Sequence, residues 1–461
     1  MRKKALLAML LVMSLVLSGC ALIQKDPKVD AAQEILRLGD QVYTKAQVQE
    51  RVQSELESAA LYNQLYYGTK LDITDASIIS QAQTYVVETL EQEMALEAKT
   101  KELGLDQLTE EEEQKAQEDA QSHYDSELSY VKSYELNDSG LEGEELDKAA
   151  AEHMAEDGYT MEKFLEDAKK EIISEKLEQY AIKDVTVTDE EVQAEYDSKI
   201  AADKETYGEN ANSYVSAANN GSTLYYAPAG VRRVKQILTS FKDEDKDAIS
   251  AANTAISEAN TNITAANNKI SADQEVVDSE TATEEEKATA QADLDAAKAD
   301  LEAAQNALTE AQKALSDATE TAFANIDADT DAILEELANG GDWDTLMAEK
   351  NSDPGMKSGE TAEKGYAVCA GMTSFDSAFV EAAMALEKIG DYSGKIRGTS
   401  YGYYIIKYVG DEPEGAVPFD SVKEDIHDDL LETKQDETYD AAVEEWVKAA
   451  NVKIDMNALK D

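Results

Sequence analysis

Reactive side chains are few and scattered in this chain of 461 residues, which holds two cysteines, Cys20 and Cys369, and three histidines, His123, His153 and His427. No Cys/His cluster has zinc-ligand spacing, no Asp/Asn-Gly loop has EF-hand spacing, and no phosphate-cradling glycine loop occurs. No metal and no cofactor is therefore expected. Glu110 to Glu113 follow a helix-start pattern at Thr109 and read as a solvated first turn favoured by the helix dipole. Cys369 has no basic sequence neighbour to lower its pKa and is expected to serve packing rather than chemistry. The most informative stretch is instead apolar and aromatic, Phe379 to Val409, reading FVEAAMALEKIGDYSGKIRGTSYGYYIIKYV. In it Phe379, Ala382, Ala383 and Leu386 make a short helix face that stops at Gly390, and a strand closes on Tyr403-Tyr404-Ile405-Ile406-Lys407.

The chain carries 42 basic against 97 acidic residues, a formal charge of −55. That balance argues against nucleic acid as a partner and against a basic patch on anionic lipid. Hydrophobic content of 42% and 22 tyrosines argue against global disorder. Tyrosine outnumbers phenylalanine 22 to 6, and such amphipathic rings suit either a groove for unfolded polypeptides or surface and edge packing. At the N-terminus, Arg2, Lys3 and Lys4 precede an apolar run from Ala5 to Val16, then Leu17-Ser18-Gly19-Cys20. A basic start, a short apolar core and a small-residue cleavage site make a secretory signal, too short to span as a mature helix. Leu-Ser-Gly-Cys resembles a bacterial lipobox, which implies cleavage of residues 1–19 and a lipid on Cys20 that anchors the protein outside the cytoplasm, on the cell membrane. With Cys20 so modified, Cys369 has no internal disulfide partner.

These residues need a scaffold, and its elements can be read along the chain. Residues 20–33 form a polar tether. Ile35 to Tyr43 alternate as a short hairpin turning at Gly39-Asp40, and Thr44 with Gln47 makes a capping-box helix start. Asp75 to Leu103 places Ile79, Val86, Leu90 and Met94 on one helix face, with Gly104 as the stop. Further helix starts fall at Thr109 with Glu112 and at Thr188 with Glu191. Residues 211–230 lack any charge and are rich in Asn, Ser and Gly, so they read as a linker between domains. Val231 to Leu238 reads as a strand.

An insertion spanning 243–322 follows, with Ile249, Ile256, Ile263, Ile270 and Val277 every seven residues and Ala252, Ala259 and Ala266 beside them. The returning arm repeats the pattern with Leu294, Leu301, Leu308 and Leu315 and with Ala297, Ala304, Ala311 and Ala318. Heptads of this kind predict an antiparallel coiled-coil hairpin, each arm of roughly 30 residues reaching about 45 Å at the rise of an α-helix. It serves as a binding arm, of unidentified partner, or as a rigid spacer. Val417 to Ala450 reads as a helix whose Trp446 is expected in a core, and Val452 to Ile454 as a short strand.

The strand Val231-Arg232-Arg233-Val234-Lys235-Gln236-Ile237-Leu238, the Asn351-Ser352-Asp353 turn and the Phe379–Val409 stretch together resemble a parvulin peptidyl-prolyl isomerase domain. The hairpin and capped helices of residues 34–210 are similar to the opening of PrsA/SurA-type extracytoplasmic chaperones. The resemblance implies an α+β fold: a mostly helical SurA-like chaperone domain (34–210), completed by residues 415–461, and an inserted parvulin-like domain (231–410) of a small antiparallel sheet plus helices that carries the coiled-coil hairpin.

A parvulin bonds to its substrate through no covalent step; it seats proline in an apolar pocket and favours the twisted amide over either planar form. The resemblance implies a pocket lined by Phe379, Met384 and Met372. Its polar floor maps to Gln236 and Tyr404, where the family has two facing histidines, with a third position near Asp353 or Pro354. Both replacements can donate and accept, so a Gln236–Tyr404 hydrogen bond is expected to keep the floor's shape. The implied function is a membrane-anchored folding factor for newly exported or unfolded polypeptides, with isomerase activity weakened by the loss of both histidines. The alternative is a non-catalytic holdase or scaffold that uses a degenerate parvulin fold to bind peptide.

Overall fold

The computed structural model describes residues 27–460 apart from Asp138. The signal segment, Cys20 and the first part of the tether lie outside the described residues. The chain divides into two compact units, one built from residues up to Val187 and from Asp428 onward, the other from Thr188–His427.

The first unit is mostly helical. Its three-stranded antiparallel sheet sets Glu34–Leu38 between Gln41–Thr44 and the C-terminal strand Lys453–Ile454. Gly39 makes the turn at φ 57°, a left-handed conformation that glycine adopts without a Cβ penalty. Thr44 and Gln47 cap the helix Lys45–Tyr67 reciprocally. Asp75 accepts from the N–H groups of Ser77 and Ile78 to start Ala76–Leu103, and Gly104 ends it at φ 68°. These helices bury Val48, Val52, Val86, Leu90 and Met94 against Ile35 and Leu36 of the sheet. Val452 and Leu459, from the far end of the chain, join that core. Buried Lys45 is offset by Asp30 at 3.1 Å. Thr109 with Glu112 caps Glu110–Tyr130, which packs Ala116 and Ala120 against Ala168 and Ile172 of Met161–Ile182. Trp446, expected in a core, is half-buried on the helix Lys423–Ala450, edge-on to Tyr439 and beneath the Lys99 ammonium.

The second unit opens with the capped helix Asp189–Tyr207. Residues 211–230 are not an open linker. Ala211–Asn219 is a helix whose Tyr214 and Val215 are buried, and Tyr226–Ala227 pairs with Gly415–Ala416. The Asn219 amide then closes the edge of strand Tyr366–Cys369, donating to the Ala367 carbonyl and accepting from the Ala367 N–H, each at 2.8 Å. A sequence free of charge is as compatible with a buried helix as with a linker, and the small residues here are packing residues.

The main sheet has four antiparallel strands in the order Tyr366–Cys369, Val231–Ser240, Gly402–Asp411, Ile396–Arg397. Its two faces are set by the period of two along each strand. Ile237 and Ile405 pack on one face with Ile333, Leu337, Trp343, Leu346 and Met356. Leu238, Tyr404 and Ile406 pack on the other with Phe379, Val380 and Ala383.

Two long helices, Asp243–Asp278 and Glu284–Ala338, form the hairpin, joined across Ser279–Thr283. Ala252, Ala259 and Ala266 on one and Ala290, Leu294, Ala297, Ala304 and Ala311 on the other are buried. The seam is therefore mainly alanine, with Ile249, Ile256, Ile263 and Ile270 only half-buried beside it. The returning helix does not stop where the insertion was expected to end, near residue 322. It runs unbroken into the domain, where Ile326, Ile333 and Leu337 cover the back of the sheet. Phe241, Phe323 and Tyr403 form an aromatic hinge-plate at its root, with adjacent centroids 4.8 Å apart and the Arg397 guanidinium 4.0 Å from the Phe323 ring.

Candidate functional site

On the sheet face opposite the returning helix lies a cleft of about 410 Å³ whose lining includes Gln236, Asp353, Tyr366, Phe375, Phe379 and Tyr404. Gln236 and Tyr404 reach it because residues two apart on adjoining strands share a face; Gln236 pairs with Ile406 in register, and Leu238 with Tyr404. The expected Gln236–Tyr404 hydrogen bond does not form. Gln236 and Tyr404 are thus diagonal rather than opposite, and Gln236 Nε2 donates instead to Asp353 Oδ2 at 2.6 Å.

Asp353 is held there by its own segment. Asn351 Oδ1 accepts from the N–H groups of Leu238 (2.8 Å) and Asp353 (3.1 Å), and the Ser352 N–H donates to the Leu238 carbonyl at 2.9 Å. This short stretch is thereby pinned to the strand that carries Gln236. The Asp353 carboxylate also accepts from Tyr366 O–H at 3.0 Å and from Gly355 N–H at 2.9 Å. Gly365, just before Tyr366, sits at φ +86°, and a Cβ there would meet the Val234 carbonyl oxygen at 2.6 Å. Only glycine permits that close approach, which is why one glycine of Lys364-Gly365-Tyr366 matters.

The apolar wall comes from the helix Ser377–Ala385, fixed at both ends. Asp376 caps its start by accepting from Ala378 N–H at 3.0 Å, and also accepts from Thr399 O–H at 2.9 Å. At its C-terminus the Arg232 guanidinium donates to the carbonyls of Met384 (2.9 Å) and Leu386 (2.7 Å), where a cation complements the helix dipole. Four rings make a chain around the cleft. Tyr366 meets Phe375 at 5.1 Å, Phe375 meets Phe379 at 5.7 Å, and Phe379 meets Tyr404 at 5.4 Å, all edge-to-face. Gly398 lets the loop before the last strand run against Tyr404, since a Cβ there would lie 2.5 Å from that ring.

The two methionines proposed for the wall are elsewhere. Met372 is buried in the core between sheet and helix, and Met384 is half-buried against the same core, with neither lining the cleft. Phe375 takes the wall position instead. It lies four residues before Phe379, one helical turn away along the chain, whereas Met372 lies seven before it. Tyr366 and Tyr401 carry no comparable signal. Tyr366 reaches Asp353 only through the sheet pairing of residues 132 positions apart, Val234 with Tyr366.

Burial raises the phenol pKa of Tyr404, with the negative charge of Asp376 next, and burial likewise raises that of Tyr366, with Asp353 adding to it. Both stay protonated at neutral pH. Tyr366 is therefore a constant donor to Asp353, and the Tyr404 hydroxyl, which has no partner among the described residues, is a free donor at the cleft. The arrangement offers an aromatic seat, a fixed carboxylate and a free phenol. It offers no activated nucleophile. Cys369 is buried with its thiol pKa raised by desolvation, and no group of His, Cys, Asp and Glu suited to a metal occurs among the described residues.

No family model matches the chain. Over 114 residues it is 36% identical to the Foldase protein PrsA of Clostridium botulinum strain Hall, covering 24% of this chain and 32% of that one. Over 123 residues it is 29% identical to the Foldase protein PrsA of Clostridium tetani, covering 26% and 34%. The matched stretch spans about a third of the length of these curated relatives. Among solved structures, the foldase protein PrsA of Streptococcus pneumoniae aligns over 93% of this chain and 97% of its own at 13% identity and a TM-score of 0.24. A structure from the study of PEB4 and Cj1289, SurA-like chaperones of Campylobacter jejuni, aligns over 72% and 95% at 16% identity and a TM-score of 0.23. Scores so low add no weight of their own. The sequence matches make the chain similar, in part of its length, to PrsA foldases.

Proposed function

We propose that this protein is an extracytoplasmic folding factor, anchored through a lipid on Cys20, whose aromatic cleft seats prolyl segments of unfolded exported polypeptides. The observation that carries this reading is the cleft itself: four edge-to-face rings around the buried Gln236–Asp353 pair, to which the half-buried Tyr366 donates. A prolyl ring is uncharged, compact and apolar, and suits such a seat. Similarity to PrsA foldases and the secretory signal agree with it. Among the described residues no helix is long and apolar enough to cross a membrane.

The chemistry is rotation about an X–Pro bond, whose barrier is close to the roughly 18–20 kcal/mol of peptide bonds generally. A planar amide is stabilised by charge separation between oxygen and nitrogen, and water supports that separation. An aromatic seat from which the bound prolyl ring displaces water withholds this support and so favours the twisted form. The free Tyr404 O–H can donate to a substrate carbonyl that turns towards it. Without histidines, the site works through shape and desolvation, so catalysis is weak.

A second reading is a holdase. It is favoured by an exposed patch at the end of helix Lys45–Tyr67, where Leu61, Tyr62, Leu65, Tyr66 and Tyr67 are all more than half exposed. Tyr62 and Tyr66 stack there at 4.6 Å. Patches of this kind mark surfaces that bind apolar segments. Two assays on one preparation separate the readings. Slow exchange of a short X-Pro peptide, accelerated by the protein and no longer by Phe375→Ala, supports the isomerase. Suppressed aggregation of an unfolded client without any acceleration supports the holdase, and neither effect overturns both.

A further inference from the structure

Gln236 is 7% exposed, and its Oε1 is a buried acceptor with no hydrogen-bond partner, on a residue that lines the cleft. The chemistry of its neighbour fixes the orientation of this amide. A carboxylate only accepts, so the Nε2 group must face Asp353 and Oε1 must face away from it. The nearby donors are already committed: Tyr366 O–H and Gly355 N–H to the Asp353 carboxylate, and Asn351 Nδ2 to the Asp353 carbonyl. The wall residues Leu238, Pro354, Phe375 and Phe379 have no side-chain donor at all. A buried acceptor without a donor is costly, and native structures rarely leave one. The free Tyr404 O–H of the same cleft makes no hydrogen bond to Oε1, so the donor comes from what enters the cleft: water, or a segment that displaces it and must replace its hydrogen bond.

We infer that Gln236 Oε1 accepts a hydrogen bond from the backbone N–H of the residue that follows the seated proline. This makes the site selective for X-Pro-Y segments in which Y carries an N–H, and it rests on the proline reading given above. Three backbone nitrogens surround the bond. The prolyl nitrogen has no hydrogen. The N–H of X lies across the rotating bond and changes position as the amide turns. Only the N–H of Y stays on the same side as the ring, and so is stationary while the ring is held. Clamping ring and Y together leaves the X side free to rotate. A second proline at Y supplies no N–H, so Pro-Pro segments are rejected.

The test measures binding of three blocked pentapeptides to the full chain by calorimetry. One is all-amide Ala-Phe-Pro-Ala-Ala. In the second an ester oxygen replaces the N–H of the alanine after proline, and in the third one replaces the N–H of the phenylalanine before it. Loss of a hydrogen bond to a buried acceptor weakens the second by about tenfold, while the third stays within about twofold of the parent. In Gln236→Leu the second and third peptides bind alike. Equal binding of all three to the unaltered protein, or a larger loss for the third, overturns the inference, and this comparison stands even if Gln236→Leu does not fold. If the all-amide peptide does not bind, the proline reading itself has failed, and a bound parent with no ester effect is a different result.

Discussion

Tyr403 and Tyr404 are neighbours of one residue type on one strand, yet they belong to different parts of the molecule. Tyr403 turns to the back of the sheet, where its ring meets Phe323 of the returning hairpin helix at 4.8 Å, with the Lys395 ammonium 5.2 Å from the ring centroid. Tyr404 turns to the front and closes the aromatic cleft against Phe379. The strand period alone assigns one to scaffold and one to site. The back face is mainly apolar, covered by a helix and tied to the arm, and its unpartnered buried atoms, Thr239 Oγ1 and Trp343 Nε1, lie outside the cleft lining. The front face mixes rings with a buried carboxylate, an unpaired acceptor and a free phenol. The back is built for stability, while the front keeps polar groups that packing alone would have removed.

If that division holds, substitutions on the two faces separate stability from binding. The largest stability loss comes from the back. Ile405 is fully buried among Ile237, Ile333 and Trp343, and Ile405→Ala costs about 3 kcal/mol in urea unfolding. Proline-peptide affinity of the folded protein stays the same, and a parallel collapse of affinity would mean the faces are not independent. Next is Asp353→Ala, which strands the donors of Gln236, Tyr366 and Gly355. It costs about 2 kcal/mol because the cleft admits some water, and here affinity falls as well. Tyr404→Phe removes only a free hydroxyl. Stability changes by less than about 1 kcal/mol, while isomerase activity drops a few-fold. Tyr403→Phe, one residue away, leaves activity unchanged.

The pH dependence is smaller still. An unfolded phenol ionises near pH 10. Burial and neighbouring carboxylates raise the folded pKa of Tyr366 and Tyr404, and burial with the charge of Glu412 pushes Tyr214 up to about 12. A folded pKa above the unfolded one gives stability that is complete below about pH 10 and is lost as the pH climbs towards the folded values. The urea midpoint should therefore hold between about pH 7 and 9 and fall above about pH 10, less steeply in Tyr404→Phe.

Local signals in the sequence carried much of the scaffold. Thr44 with Gln47, Thr109 with Glu112 and Thr188 with Glu191 cap helices as their spacing implied, because a capping box is complete within four residues. The alanine and leucine repeats of the hairpin were equally visible. What was misread depends on partners distant in sequence. The 211–230 stretch holds the helix Ala211–Asn219 and the strand Tyr226–Ala227, and Asn219 docks on the edge of strand Tyr366–Cys369. Gln236 turned to Asp353 because strand register puts Tyr404 diagonal to it. Met372 and Met384 suited a proline pocket by type, but flexible side chains fill core gaps equally well, and here they do. Phe375 fills the wall position that the resemblance assigned to a methionine. The unbroken course of Glu284–Ala338 was hidden because the heptads end before the helix does.

The seating of a prolyl ring among Tyr366, Phe375, Phe379 and Tyr404 is tested most directly by aromatic ¹³C NMR. With only 6 phenylalanines in the chain, selectively labelled Phe and Tyr resonances can be assigned by single substitutions. Titration with Ala-Phe-Pro-Ala-Ala should shift Phe375, Phe379, Tyr366 and Tyr404, and leave Phe241, Phe323 and Tyr403 at the arm's root in place. The same peptide with alanine for proline should shift none of them at equal concentration. Shifts confined to the exposed Tyr62, Tyr66 and Tyr67 patch, or no difference between the two peptides at the cleft, would contradict it.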